Sequence, residues 1–163
     1  MKTLLIVFHS RTGGAAQMAQ AAAEGAGQER DVTVRLVPAP DAGPQDLLAA
    51  DGCIFAAPEN LAALSGPMKD FFDRCYYPVL DRLNGHPCAI MVCAGSDGTS
   101  AVRQMERILT GWRLRPITEP LVICTQAQTP EAILAPKTIS PRDRAACADL
   151  GAAFAAGLSG GIF

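Results

Sequence analysis

The stretch Thr3-Leu-Leu-Ile-Val-Phe8, followed by His9-Ser-Arg-Thr-Gly-Gly14, decides the fold of this chain. The first six residues form an apolar run without polar alternation, which is typical of a strand covered on both faces in a parallel sheet. The next six form a glycine-rich turn, and the alanine-rich residues 15–26 that follow are good helix formers. A buried strand that turns directly into a helix is the first unit of a βα repeat.

The same alternation continues along the chain. The predicted strands are Thr3–Phe8, Asp31–Val37, Gly52–Ala57, Pro87–Cys93 and one strand within Arg115–Thr125. Helical patterns separate them, including one that begins after Ser65, a candidate N-cap, and a last one from Ser140 to about Leu158. The sequence therefore predicts one α/β domain over residues 1–163. We expect three layers and a doubly wound, five-stranded parallel sheet with the strand order 2-1-3-4-5.

Composition and charge exclude several classes of protein. With 49% hydrophobic residues in a chain of 163, the sequence is too apolar for a disordered protein. A net charge of −2 offers no basic field for nucleic acid. No apolar run reaches the length of a membrane span, and the first residues do not resemble a signal peptide, so we expect a cytoplasmic protein.

The six cysteines are expected to be buried thiols. They are Cys53, Cys75, Cys88, Cys93, Cys124 and Cys147. No pair has the spacing of a structural zinc site, and the only two histidines, His9 and His86, lie far apart in the sequence, so no metal site is predicted. Free buried cysteine packs as a small hydrophobe in a reducing compartment.

Three loops form the candidate site, because parallel sheets of this kind bind ligands beyond the carboxyl ends of their strands. They are residues 10–15, 58–65 and 94–98, which follow the first, third and fourth strands. The first loop joins hydroxyl groups and glycines to a helix start, where unpaired N–H groups and the helix dipole favour a phosphate. The alternative is a turn that binds nothing.

The pattern of this first loop excludes the commonest phosphate sites. It lacks the Lys of a P-loop and the G-x-G-x-x-G of a dinucleotide fold, and it carries no Cys nucleophile of a phosphatase. Instead, Ser10–Ala15 resembles the flavodoxin phosphate loop, [ST]-x-T-G-x-T, with Ala15 in place of the last hydroxyl. Residues 58–73 are similar to the loop and helix after the third strand in the NAD(P)H-dependent FMN reductases and the Wrb-type NAD(P)H:quinone oxidoreductases. The matching positions are Pro58, Ser65, Gly66, Lys69 and Asp73.

The resemblance implies a flavodoxin-like fold that binds FMN non-covalently. The phosphate would lie on Ser10, Arg11, Thr12, Gly13, Gly14 and Ala15. The isoalloxazine would lie between Pro58, Glu59, Asn60, Leu61 and Ala62 on one side and Ala94, Gly95, Ser96, Asp97 and Gly98 on the other. The implied reaction transfers hydride from NAD(P)H through the flavin to a small acceptor such as a quinone. No catalytic side chain is assigned, since the cofactor does the chemistry, and a homodimer or higher homo-oligomer that covers the flavin is a further possibility.

Two departures favour a reductase over an electron carrier. The second and third loops contain no aromatic residue to stack on the flavin, and a net charge of −2 is small beside that of typical carriers. An electron carrier with the same flavin site and a non-enzymatic binding module on the same fold remain the alternatives. Several side chains have two interpretations. His9 contacts the ligand or, as we prefer, caps the first strand, Asp97 meets the flavin edge or caps the fourth helix, and Cys93 is expected to be a buried thiol.

Overall fold

The first strand and helix of the chain form as the sequence predicts, and the rest of the sheet is built around them. The structure is a computed structural model that describes residues 1–163. Its strands are β1 (Lys2–Phe8), β2 (Val32–Pro38), β3 (Gly52–Asn60), β4 (Ala63–Leu64), β5 (Pro87–Ala94), β6 (Arg115–Pro116) and β7 (Leu121–Cys124). Its helices are α1 (Gly14–Ala26), α2 (Pro44–Leu48), α3 (Gly66–Val79), α4 (Thr99–Gly111), α5 (Pro130–Leu134) and α6 (Pro141–Ser159).

The sheet has the predicted order. Strands β2, β1, β3 and β5 lie side by side and parallel, and β6 and β7 both pair with the outer edge of β5. The strand order 2-1-3-4-5 is therefore confirmed, with β6 and β7 together in the place of the fifth strand. This order puts the carboxyl ends of β1, β3 and β5 next to one another at one edge of the sheet.

Alternating residues of β1 pack on opposite faces, which explains the unbroken apolar run. Leu4 and Ile6 join the core beneath α1 and α6, whereas Leu5 and Val7 join the core beneath α3 and α4. All four side chains are completely buried. The two cores make the three layers that the sequence predicts, because a strand buried on both faces needs helices on both.

The predicted fifth strand is interrupted, and a single strand there was a wrong expectation. Arg115 and Pro116 pair with Pro87 and Cys88, and pairing resumes only where Leu121 meets Met91. Residues 117–120 therefore lie opposite only residues 89 and 90, so the chain bulges away from the sheet. Pro120 lacks an N–H for the ladder, which is consistent with a break at this point.

The third strand is longer than predicted, and the expectation of a loop over residues 58–65 was also wrong. Pro58 still pairs with Cys93 of β5, and β3 continues to Asn60. The chain then turns at Leu61 and Ala62 and returns as β4, antiparallel to the end of β3. We call residues 58–64 the hairpin. Two-residue hairpin turns are normally marked by Asn-Gly or Asp-Gly, so Leu-Ala gives no such signal.

The cysteines are core residues, as expected. Five of the six are buried and Cys124 is partly buried, and all are free thiols. Burial raises the pKa of Cys88 to about 12 and that of Cys147 to about 11. No group of three His, Cys, Asp or Glu side chains is placed to hold a metal ion. None of the six helices combines the length and hydropathy that a membrane crossing requires.

Candidate functional site

The loop between β1 and α1 presents a row of free backbone donors. Gly13 precedes α1 with φ of 102°, a left-handed conformation that glycine adopts without strain. Its N–H donates to the Ser10 hydroxyl oxygen at 3.0 Å, which leaves the hydroxyl hydrogen free to donate elsewhere. The amides of Arg11, Thr12, Gly14 and Ala15 donate no hydrogen bond within the protein. Four unpaired N–H groups at the positive end of a helix are suited to an anion.

Gly14 allows this loop to lie directly on β5. A Cβ at this position would collide with the Cys93 Sγ, so a side chain here would force either the Cys93 thiol or the start of α1 to move. Cys93 is 7% exposed and ends β5 at the edge of the site. Burial raises the pKa of its thiol to about 11, so it stays protonated at neutral pH. The expectation of a buried thiol is confirmed, and its role is to pack against Gly14.

The hairpin carries unusual backbone strain. Leu61 and Ala62 both have positive φ, 49° and 56°, although neither is glycine. This conformation costs roughly 1–2 kcal/mol for each residue with a Cβ. The Leu61 side chain is completely exposed, at 102% of its reference area. The backbone of the turn is therefore strained, and the Leu61 side chain that it carries lies in solvent.

Glu59 ties the hairpin to the loop after β5. Its carboxylate oxygens accept the N–H groups of Gly98 and Ala101, each at 3.1 Å, at the start of α4. A carboxylate at this position is favoured by the helix dipole. The Asp97 carboxylate accepts the hydroxyl of Thr99 and bonds no amide of the helix. Of the two interpretations of Asp97, the cap of the fourth helix is therefore wrong, since Glu59 from the neighbouring strand fills that role.

A further segment, which the sequence analysis treated only as a connection, closes over the first loop. We call residues 125–139 the strap. Gln126 N–H donates to the Gly95 carbonyl at 2.7 Å, and Lys137 N–H donates to the Thr12 carbonyl at 2.7 Å. Gln17 of α1 donates to the Lys137 carbonyl at 2.6 Å and accepts the Ile139 N–H at 3.2 Å. The Thr125 hydroxyl also donates to the Ala94 carbonyl at 3.3 Å. Two of the three side-chain bonds thus come from Gln17, outside the strap, so the sequence of the strap itself gives little indication of this placement.

The middle of the strap is held by polar contacts. Helix α5 contains no buried residue. The Lys137 ammonium donates to the carbonyls of Ala132, Ile133 and Ala135 at 2.7, 2.9 and 2.6 Å, and so ties the end of α5. At its start, the Thr129 hydroxyl accepts the Ala132 N–H. The strap is thus fixed at both ends and across its short helix.

Two adjoining cavities lie between the three loops and the strap. Their volumes are about 70 and 470 Å³, and both open to solvent. The larger one falls within the usual size range of ligand sites. They bring together most of the predicted residues: Ser10, Arg11, Thr12, Gly14, Ala15, Pro58, Glu59, Asn60, Leu61, Ala62, Ala94, Gly95 and Ser96. Gly13, Asp97 and Gly98 lie in the same loops but do not line either cavity. The lining residues that the sequence analysis did not assign are Cys93, Thr125, Ala127, Ile133, Leu134 and Lys137.

Arg11 is the free cation of the cavities. Of the three charged side chains that line them, Glu59 is bonded to α4 and Lys137 to the strap, whereas the Arg11 guanidinium has no hydrogen-bond or ion-pair partner. The unpaired amides and Arg11 together fit the phosphate of a flavin mononucleotide. The larger cavity, between the hairpin and Gly95–Ser96, is lined by aliphatic and small residues and also by the polar side chains of Thr12, Glu59 and Asn60.

His9 lies outside the cavities and closes the end of β1, in agreement with the preferred expectation. Its ring Nδ1 is 2.9 Å from the Ser65 hydroxyl, and its backbone N–H donates to the Ala56 carbonyl. Burial, and secondarily the charge of Arg11, lowers the pKa of His9, so the ring is neutral at pH 7. Ser65 precedes α3 as predicted, but its side chain bonds no amide of the helix. Lys69 and Asp73 pair with each other at 2.6 Å on the exposed face of α3.

Comparison with known proteins points to one family. The family model of the NADPH-dependent FMN reductases matches residues 38–129. The flavodoxin of Aquifex aeolicus (strain VF5) is 34% identical over 111 residues, which are 68% of this chain and 60% of that protein. An NAD(P)H dehydrogenase (quinone) of Acidithiobacillus ferrooxidans (strain ATCC 53993 / BNL-5-31) is 36% identical over 45% of this chain and 47% of that protein. The chain thus matches about half to three fifths of the length of these two relatives.

The solved structures agree on the fold. A flavodoxin from the domain Archaea superposes with a TM-score of 0.77 at 17% identity, over 96% of this chain and 98% of that one. The predicted flavodoxin-like architecture is therefore confirmed.

Proposed function

This chain belongs to the family of the NADPH-dependent FMN reductases, and on that premise we propose that it binds FMN and passes electrons from NAD(P)H to a small acceptor such as a quinone. The family that the two sequence motifs indicated is thereby confirmed. The observation that carries the proposal is the row of unpaired amides at Arg11, Thr12, Gly14 and Ala15, which line the cavity where the three loops meet.

The first loop and the strap would hold the phosphate end of the cofactor. The free amides and the Ser10 hydroxyl would donate to phosphate oxygens, and Arg11 would add a positive charge beside them. The strap covers this end, because Lys137 N–H is bonded to the Thr12 carbonyl. Water is thus kept from one side of the phosphate, which strengthens each of these electrostatic contacts.

The hairpin and Gly95–Ser96 would hold the ring. Glu59 fixes the separation of these two segments through its bonds to Gly98 and Ala101. When bound, FMN supplies the hydride-accepting chemistry of the reaction. In the overall balance, NAD(P)H gives a hydride and water gives one proton, and a quinone leaves as the hydroquinone. His9 is turned away and Glu59 is fully bonded, so the side chains of the site bind and orient, and the proton comes from solvent.

Anaerobic reduction tests the proposal. The FMN-loaded protein is mixed with NADPH, and in parallel with NADH, and the flavin absorbance near 450 nm is followed without an acceptor. We expect at least one nicotinamide to bleach it within the time of a turnover, and a quinone to restore it. Flavin that stays oxidised with both nicotinamides would contradict the reductase function.

An electron carrier is the second candidate, and the likeness to the Aquifex flavodoxin favours it. The lining of the two cavities contains no aromatic side chain, and the net charge is only −2, which supports the reductase instead. A carrier would be reduced by NADPH only after a separate reductase is added. The same anaerobic experiment, run with and without such a reductase, distinguishes the two.

A further inference from the structure

The mouth of the larger cavity carries three exposed apolar side chains on two different elements. Leu61 of the hairpin is 102% exposed, and Ile133 and Leu134 of the strap are 50% and 66% exposed. All three line the same cavity, together with Ala62 and Ala127. We call Leu61–Ala62 the hairpin lip and Ile133–Leu134 the strap lip. Exposed apolar groups collected around one opening indicate a contact with an apolar partner.

The hairpin lip is held in a conformation that its residues resist. Two consecutive positive φ angles are what Asn-Gly adopts easily in a two-residue hairpin, and Leu-Ala does not. Strained backbone of this kind is concentrated at functional positions. Because Leu61 is fully exposed, no packing within the folded protein offsets the energetic cost of this backbone conformation.

The strap lip adds nothing to the core either. No residue of α5 is buried, and its position depends on the bonds of Lys137 and Thr129 described above. The polar bonds fix the backbone while Ile133 and Leu134 remain in solvent. Both lips are therefore positioned before any ligand arrives, which lowers the entropy cost of binding.

We propose that the two lips form the acceptor subsite, and that they select planar acceptors with apolar substituents, such as alkyl-substituted quinones, over free FMN. This inference rests on the proposed function. The lips offer four aliphatic side chains, and the only free cation that lines the cavity is Arg11, which the cofactor phosphate would occupy. A second FMN would bring a phosphate dianion to a surface that has no partner for it, whereas a quinone is neutral.

The variant L61N/A62G tests the hairpin lip, and it should raise stability while it weakens acceptor binding. Asparagine and glycine fit the turn, so we expect the melting temperature of the FMN-loaded protein to rise by roughly 2–4 °C. The dissociation constant of the oxidised protein for decyl-substituted benzoquinone, measured by calorimetry without NAD(P)H, should increase about tenfold. A structural role alone would move both quantities in the same direction.

Two companion variants complete the experiment. Ile133→Ser removes an apolar group of the strap lip and should also weaken the quinone. Leu80→Asn is the matched control, because Leu80 is 41% exposed just beyond the far end of α3, away from the cavities, and should leave quinone binding unchanged.

Three outcomes would overturn the inference. One is an unchanged quinone affinity in L61N/A62G despite the higher melting temperature. Another is a free FMN affinity at the acceptor position that equals that of the quinone. The third is a shift of the oligomeric state in sedimentation with no change in quinone binding, which would make the lips an interface between two copies. Retention of FMN is measured in the wild type and in each variant, and its reduction by NAD(P)H is measured in the wild type. Loss of the cofactor and failure of the proposed function are therefore both recognised independently of quinone binding.

Discussion

The first loop and the hairpin are two walls of one cleft, and they are built in opposite ways. In the first loop, glycine stands where the backbone needs it, at Gly13 with φ of 102° and at Gly14 against Cys93. In the hairpin, Leu61 and Ala62 hold left-handed angles that glycine or asparagine would adopt with less strain. The first wall follows local conformational preference and the second violates it. The comparison teaches that local sequence predicts the conformation of the first loop but not that of the hairpin.

The largest effect is expected from adding a side chain at Gly14, where the first loop lies close to Cys93. Gly14→Ala places a Cβ against the Cys93 Sγ and should cost about 1–3 kcal/mol of unfolding free energy, with a parallel loss of FMN affinity. Urea unfolding and FMN titration measure the two. The double variant G14A/C93A should recover much of both, because the new Cβ would lie 3.6 Å from the Cβ of residue 93. If the double variant is no better than G14A, the contact is not the cause.

A smaller effect is expected from weakening the contact between the hairpin and the start of α4. Glu59→Gln keeps one oxygen acceptor but places an amide group opposite an N–H, so we expect a loss of about 1–2 kcal/mol in urea unfolding. Glu106→Gln, the same substitution on the exposed face of α4, should change stability by less than about 0.5 kcal/mol. Equal effects of the two substitutions would show that the bridge between hairpin and α4 contributes nothing.

Arg11 gives a further test of the first loop, through the affinity for FMN alone. Arg11→Ala should weaken FMN by about three- to fivefold at low salt, because an exposed charge near a phosphate contributes modestly. Riboflavin, which lacks the phosphate, should bind the variant and the wild type equally. Arg103→Ala, a distant exposed arginine, is the control. A loss of riboflavin affinity equal to that of FMN would remove Arg11 from the phosphate site.

The smallest effect concerns the contact between His9, at the end of β1, and Ser65, just before α3. Since the folded protein lowers the pKa of His9, the unfolded chain binds more protons below its ordinary value of 6.5. The free energy of unfolding should therefore be highest above about pH 7 and decrease as the pH is lowered below 6.5. His9→Asn should flatten this dependence in urea unfolding between pH 7 and 5.5. An unaltered slope in the variant would assign the pH dependence to other groups.

The same contrast explains what the sequence predicts and what it does not. The strand order follows from β1, whose apolar run has one cause, burial on both faces. The first loop follows from its glycines and hydroxyls. The hairpin was mistaken for a loop because Leu61-Ala62 lacks a turn signal, and the break in the fifth strand depends on residues 117–120 having too few partners in β5. The strap is fixed in part by backbone bonds, which any residue can make, and in part by Gln17, which lies far away in the sequence.

The site residues divide in the same way. The predicted loops supply most of the lining of the cleft, because strand order alone brings their ends together. The missed residues, such as Ile133 and Lys137, come from a segment whose position depends on Gln17, far away in sequence. Capping of α4, one of the two interpretations of Asp97, is performed by Glu59 from a neighbouring strand. Contacts between distant segments of this kind leave no local pattern.

The most direct test of the account is the visible spectrum of the purified protein after FMN is added and free ligand is removed by gel filtration. The account predicts a retained flavin spectrum with a stoichiometry near one, and its loss when Gly14 is replaced by alanine. A wild-type protein that passes FMN through the column without colour would contradict the central claim, because the free amides of the first loop would then have another ligand or none.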